Sequence, residues 1–193
     1  MKTVKLAIIL LFAVSINFAQ TSWGLDKSHS KIGFSVVHLV ISEVEGQFNE
    51  YDVKVTSNGD DFDGASVEFS ADVNSIDTDN EKRDNHLKSD DFFNAEQFPK
   101  MTFVSTSFSK EDDKNYKLVG DLTIRDVTKE VELDVVYNGM VKDPWGNTKA
   151  GFKATGAINR FDYNLKWNAA LETGGLVVGE DVNLIINLEL AKQ

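Results

Sequence analysis

A chain of 193 residues with 31 acidic against 20 basic side chains, a formal charge of −11, offers no clustered basic surface for a phosphate backbone, which excludes a nucleic-acid binder. It has no cysteine, which excludes disulfides, thiolate metal sites and lipid attachment through a cysteine. Its length suffices for one domain with a substantial core.

The first predicted element is a leader. Lys2 and Lys5 precede an apolar run at 6–14 and a short segment ending at Ala19, the layout of a secretory signal peptide. Residues 1–19 are expected to be removed, with a slip of about two residues because Asn17 is large for its place before the cut. The expected location of the remaining domain, 20–193, is the periplasm or the extracellular space. The other reading of this segment is a buried N-terminal helix. No stretch reaches the roughly 20 apolar residues of a membrane-spanning helix.

From Ile32 onward, apolar residues recur at every second position, the period of a strand with one buried face. Ile32, Phe34, Val36 and His38 share that face. Val53 and Val55 repeat the pattern, then Val67, Phe69, Ala71 and Val73, with a polar turn at 57–63 between them. Further strands are predicted over 101–108, 116–124, 131–137, 150–158 and 182–190, which makes eight. Gly120, Gly139, Gly151 and Gly156 lie in or beside them, where a strand glycine often marks a bulge or bend that lets a sheet close. The stretch 75–98 breaks the alternation. Thr78 followed by Glu81 fits a capping box, and Asp77, Asp79 and Glu81 suit a helix N-terminus, so one or two short helices are predicted there. With no βαβ rhythm, the predicted class is all-β, an eight-stranded antiparallel up-and-down barrel, with a two-sheet sandwich as the other architecture.

An eight-stranded barrel is near the size at which side chains fill the interior or leave room for one small ligand. On the inward series, Ala71, Gly120, Ala154 and Gly156 alternate with Phe34, Phe69, Phe103 and Phe152. Such small residues either open a channel or make way for large neighbours, and composition does not choose between the two. A channel would favour a long hydrocarbon, at about 0.8 kcal/mol per buried methylene.

The three histidines, His29, His38 and His86, lack the spacing of a compact metal site, so no metal is expected. His38 faces a ligand or closes a barrel end. Arg83 and His86 share a helix face while Asp84 points elsewhere, and no Ser or Cys nucleophile turn accompanies them, so the cluster reads as structural rather than catalytic. Phe92, Phe93 and Phe98 read as an aromatic plug or a lid.

These blocks resemble a known family. Trp23, Asp26, His29, Ser30, Ile32, Phe34, Val36 and His38 resemble the opening signature of YceI-like proteins. Arg83, Asp84, His86, Leu87, Ser89, Asp91, Phe92 and Phe93, then Phe98, Pro99 and Phe103, resemble its central blocks. Gly120, Leu122, Thr123, Ile124, Val127 and Thr128 resemble a third, and Arg160 with Asp162 a last. Asp126 and Asn164 stand where that family often has glycine, and both types tolerate a left-handed backbone.

The resemblance implies a lipocalin-like barrel with a helical element and an elongated apolar tunnel that binds polyisoprenoid lipids, such as prenyl quinones or prenyl pyrophosphates. The expected function is therefore exported, non-enzymatic lipid carriage, storage or scavenging, with no cofactor beyond the lipid. The expected wall comprises Phe34, Val36, His38, Phe69, Val73, Phe92, Phe93, Phe103, Leu122, Phe152 and Ile158. Trp23, Asp26, His29, Arg83, Asp84, His86, Arg160 and Asp162 are expected at structural or mouth positions. Transient membrane contact for lipid exchange and a homodimer are further expectations. The alternatives are an enzyme acting on a lipid head group through His38 or His86, and an exported interaction module with a filled core.

Overall fold

Period-two alternation builds antiparallel strands through most of residues 20–170 and 176–193, the parts of the chain that the computed structural model describes. The predicted leader lies outside the described residues. The strands are β1 (Gln20–Leu25), β2 (Lys31–His38), β3 (Ser42–Phe48), β4 (Tyr51–Asn58), β5 (Asp61–Asp72) and β6 (Ile76–Asp77), then helix α1 (Glu81–Lys88). There follow β7 (Lys100–Lys110), β8 (Asn115–Ile124), β9 (Val127–Lys142), β10 (Thr148–Asn159) and β11 (Val178–Lys192).

Three pairs of these strands run on from one another. β1 and β2 lie along the same edge of β11, with Trp23 opposite Lys192 and Phe34 opposite Leu184, and a 3-10 turn at Lys27–His29 kinks the join. β3 and β4 continue across Asn49 and Glu50, pairing with β2 and β1 in turn. β5 and β6 continue across the 3-10 turn Val73–Ser75. Counted so, eight antiparallel staves each bond to the next, and the pairing of β1 with β11 closes the ring. The predicted segments mark one portion of every stave. They omit β1, β3 and β6.

β3 was hidden by a packing requirement. Its inward position opposite Phe34 is Gly46, and a Cβ there would lie 2.4 Å from Cζ of the Phe34 ring, so the apolar alternation is broken where the ring needs the space. Gly120 yields to Phe103 in the same way. Gly120, paired with Ser105, flanks the register shift between β7 and β8, and Gly139 and Gly151 flank the one between β9 and β10, with Gly139 at φ 111°; Gly156 lies at neither.

The helix begins later than the capping box implied. Its N-cap is Asn80, whose side chain accepts from the Arg83 N–H at 3.0 Å. Thr78 is already engaged, because its N–H and hydroxyl both donate to Asp84 Oδ1. Asn164 takes the anticipated left-handed backbone at φ 62°, but in the β8–β9 turn Arg125 at φ 56° adopts it rather than Asp126.

One end of the barrel is sealed by aromatic rings. Trp23 and Phe62 are fully buried, 5.0 Å apart between centroids, and Phe62 meets Phe152 edge-on at 4.8 Å. The Trp23 indole N–H donates to Ser57 Oγ at 2.8 Å, so the deepest ring keeps its polar atom paired. The β2–β3 hairpin, α1, the β8–β9 turn and the segment after β10 gather at the opposite end.

Candidate ligand tunnel

The barrel interior holds cavities between its side chains, which argues against the filled-core alternative. A mouth cavity of about 370 Å³ lies between β2, β3, α1 and Trp167. Beneath it are a neck of about 100 Å³, a waist of about 110 Å³ and a terminal cavity of about 40 Å³. Successive cavities share walls. Phe34, Val36 and Phe92 bound both mouth and neck, and Ile158 and Leu184 bound both neck and waist. Ala154 and Leu188 bound both waist and terminal cavity. Phe152 lines the terminal cavity and packs against the aromatic seal, so the succession of cavities leads from the mouth toward that sealed end.

Ten of the expected wall residues line this path. His38 is at the mouth, Phe93 at the neck, Phe69, Phe103 and Leu122 at the waist, and Phe152 at the closed end, beside the shared Phe34, Val36, Phe92 and Ile158. Val73 is buried but lines none of these cavities. It starts the 3-10 turn, and its N–H donates to the Pro99 carbonyl at 2.9 Å. Leu184, Ile186 and Leu188 were not singled out from the sequence, although the strict alternation of their strand marks them. Lys82, Leu87 and Trp167 lie in segments with no strand period to reveal them.

The motif residues divide among several tasks. Arg83 and His86 face the mouth, as their three-residue spacing on α1 dictates. Asp84 does not line it. Arg83 and Asp84 instead grip Thr78 from two sides, with Arg83 Nε donating to Thr78 Oγ1 at 2.8 Å, and so fix the helix to the end of β6. Asp162 is exposed on the 3-10 turn Arg160–Tyr163.

Arg160 lines the neck and is almost completely buried. Its Nε donates to the Gly179 carbonyl at 2.7 Å, Nη1 to those of Leu165 and Trp167, and Nη2 to that of Val178 at 3.1 Å. No carboxylate pairs with it among the described residues. Burial pulls its pKa down, partly opposed by Glu180.

The mouth carries Lys82, Arg83 and the imidazoles of His38 and His86, and no carboxylate is among its described lining residues. On a chain of net charge −11 this is a local reversal of sign. His86 Nε2 lies 2.9 Å from Asp91 Oδ2, and its ring meets Phe92 and Trp167 edge-on, at 5.0 Å each.

Asp26 and His29 line none of these cavities and sit where β1 turns into β2. With Glu189 they bring three potential ligand atoms within 4.8 Å of one another, a cluster that spacing in the sequence could not reveal. The Lys149 ammonium sits among them, 2.5 Å from Asp26 and 3.2 Å from Glu189, and supplies the positive charge. The hydrogen bond from Lys149, helped by Ser28, holds the Asp26 carboxyl well below the usual carboxylate range. Because its folded-state pKa is depressed, Asp26 adds stability that is complete above its unfolded value near 4. That stability is lost as pH falls from there through the folded value. Asp26→Asn is expected to cost about 1–2 kcal/mol at pH 7 and to flatten the acid limb of a stability-versus-pH curve from urea melts.

A closed antiparallel barrel of eight staves, with a succession of apolar cavities beneath one polar end, defines a lipocalin-like architecture. The chain matches the YceI-like domain over residues 23–190 and belongs to the YceI-like family. A UPF0312 protein of Staphylococcus aureus strain MSSA476 is 42% identical over 172 residues, which cover 89% of this chain and 98% of that protein. Among solved structures, a Campylobacter jejuni YceI protein superposes with a TM-score of 0.69 at 35% identity, covering 88% of this chain and 96% of that one. Burkholderia cenocepacia BcnA gives a TM-score of 0.74 at 21% identity, covering 86% and 98%. A domain from Saccharophagus degradans described as polyisoprenoid binding gives 0.64 at 16%, covering 89% and 98%, and these last two share the fold.

Proposed function

We propose that this protein is an exported, non-enzymatic carrier that encloses the chain of a polyisoprenoid lipid in its barrel and leaves the head group at the mouth. The observation that carries the reading is the succession of apolar cavities that share walls as far as Phe152, with the charged lining groups at the mouth and neck. Such a shape suits one long hydrocarbon inserted tail first, because each methylene taken from water adds about 0.8 kcal/mol. The polyisoprenoid-binding description of the Saccharophagus degradans domain, which shares the fold, agrees with this ligand class. The cationic mouth favours an anionic head group of the prenyl pyrophosphate type over a neutral quinone.

The test is mass spectrometry of organic extracts from protein purified out of its native host, followed by titration with prenyl pyrophosphates and prenyl quinones. A polyisoprenoid in stoichiometric amount and saturable binding, tighter for the pyrophosphate, are expected. An extract without lipid, together with no saturable binding of either class, would overturn the reading.

The His86–Asp91 pair favours a second reading, an enzyme acting on the head group through His38 or His86. Replacing both histidines by alanine should then abolish turnover and spare binding. Absence of turnover in the parent protein removes that reading.

A further inference from the structure

We infer that the tip of the β2–β3 hairpin, Leu39, Val40 and Ile41, docks on a lipid bilayer and brings the tunnel mouth to the membrane surface. The inference rests on the lipid-carrier reading for what passes through the mouth. Leu39 and Val40 both hold positive φ, 52° and 66°, and the Ile41 N–H donates to the His38 carbonyl at 3.2 Å. This is the pattern of a type I′ turn, whose two central positions favour Asn and Gly because a Cβ is crowded there. A β-branched valine is among the residues least suited to it. Leu39 is half-buried, but Val40 and Ile41 gain little packing in exchange, being 66% and 85% exposed. Backbone strain together with exposed aliphatic surface opposes folding twice at one tip, which points to a role outside the fold.

The position of the tip selects the partner. His38, Val36 and Val44 of the same hairpin line the mouth, so whatever receives the tip also meets the opening. The exposed Val40 and Ile41, with part of the half-buried Leu39, present at most on the order of 300 Å². A second copy of this chain would need roughly 800 Å² on each side for a stable interface. A bilayer needs no complementary shape. It is also the reservoir of a lipid that water does not dissolve, and Lys82 and Arg83 beside the mouth suit the phosphates of its surface. Glu43, opposite Val37 on the outer face, lies just below the tip and limits insertion to the tip itself.

The substitution Leu39→Asn with Val40→Gly and Ile41→Thr supplies residues suited to the turn and removes the apolar surface. The variant is expected to melt no lower than the parent and to bind a fluorescent long-chain prenyl phosphate delivered in detergent with unchanged affinity. It should co-sediment poorly with phosphatidylcholine vesicles and take the same probe from them at least tenfold more slowly. Unchanged co-sedimentation and uptake would overturn the inference. So would a parent protein that ignores vesicles and instead self-associates through the tip in sedimentation equilibrium. If the parent takes up no probe even from detergent, the carrier reading falls by itself, and vesicle co-sedimentation of parent and variant still decides whether the tip docks.

Discussion

An Ala154→Leu protein should melt at a higher temperature than the parent, yet bind long prenyl chains roughly 100-fold more weakly. Ala154 forms part of the wall shared by the waist cavity, about 110 Å³, and the terminal cavity, about 40 Å³. Three added carbons at this point enter empty space rather than a packed core, so the unliganded barrel gains on the order of 1 kcal/mol from filling a void. The same carbons displace three or four methylenes of a bound tail, and at about 0.8 kcal/mol each the loss is near 3 kcal/mol, or about 100-fold. A chain too short to reach Ala154 should bind as before. Calorimetric titration across a series of chain lengths, beside a thermal melt, checks both halves. Equal losses for short and long chains would show that the tail does not run down the axis.

The second large effect concerns Arg160. Arg160→Lys is expected to destabilise the barrel nearly as much as Arg160→Met, each by about 3–5 kcal/mol in chemical denaturation. The guanidinium serves carbonyls of Leu165, Trp167, Val178 and Gly179 with one rigid fork. A lysine carries a comparable charge, but its ammonium is a single point that cannot span this arrangement, and buried carbonyls would be left without donors. The loss should appear locally as faster amide exchange at 165–168 and at the start of β11, since Arg160 is what ties the segment after β10 to that strand. Because the same side chain lines the neck, ligand affinity should fall with it. A lysine variant as stable as the parent would contradict this account.

The period of two was legible wherever one face of a strand is continuously apolar, as in Ile32, Phe34 and Val36, or in Val67, Phe69 and Ala71. It failed where packing replaced a side chain by the space for another, as at Gly46 beneath the Phe34 ring. The tunnel wall was largely legible for the same reason, since inward residues of a barrel are fixed by strand parity once the register is right. Volume was not. Whether Ala154 faces a neighbour or a void depends on how rings from other staves fill the section, and that information is spread over the whole ring. The mouth was legible only in part, because the segment bearing Trp167 has no repeating period and reaches the site through Arg160. The Asp26–Lys149 pair joins positions far apart in the chain, a distance that no local motif spans.

The seam between β11 and the first stave, β1 with β2, gives the barrel a direction in time. Trp23 pairs with Lys192, so the stave made first waits for the one made last. Every other neighbouring pair forms between consecutive staves and can zip as the chain lengthens, but the ring stays an open, curling sheet until β11 arrives. Loop-closure entropy is greatest for that final contact. Assembly should therefore be limited by one late event, in which the aromatic seal around Trp23 and the hollow above it become enclosed together.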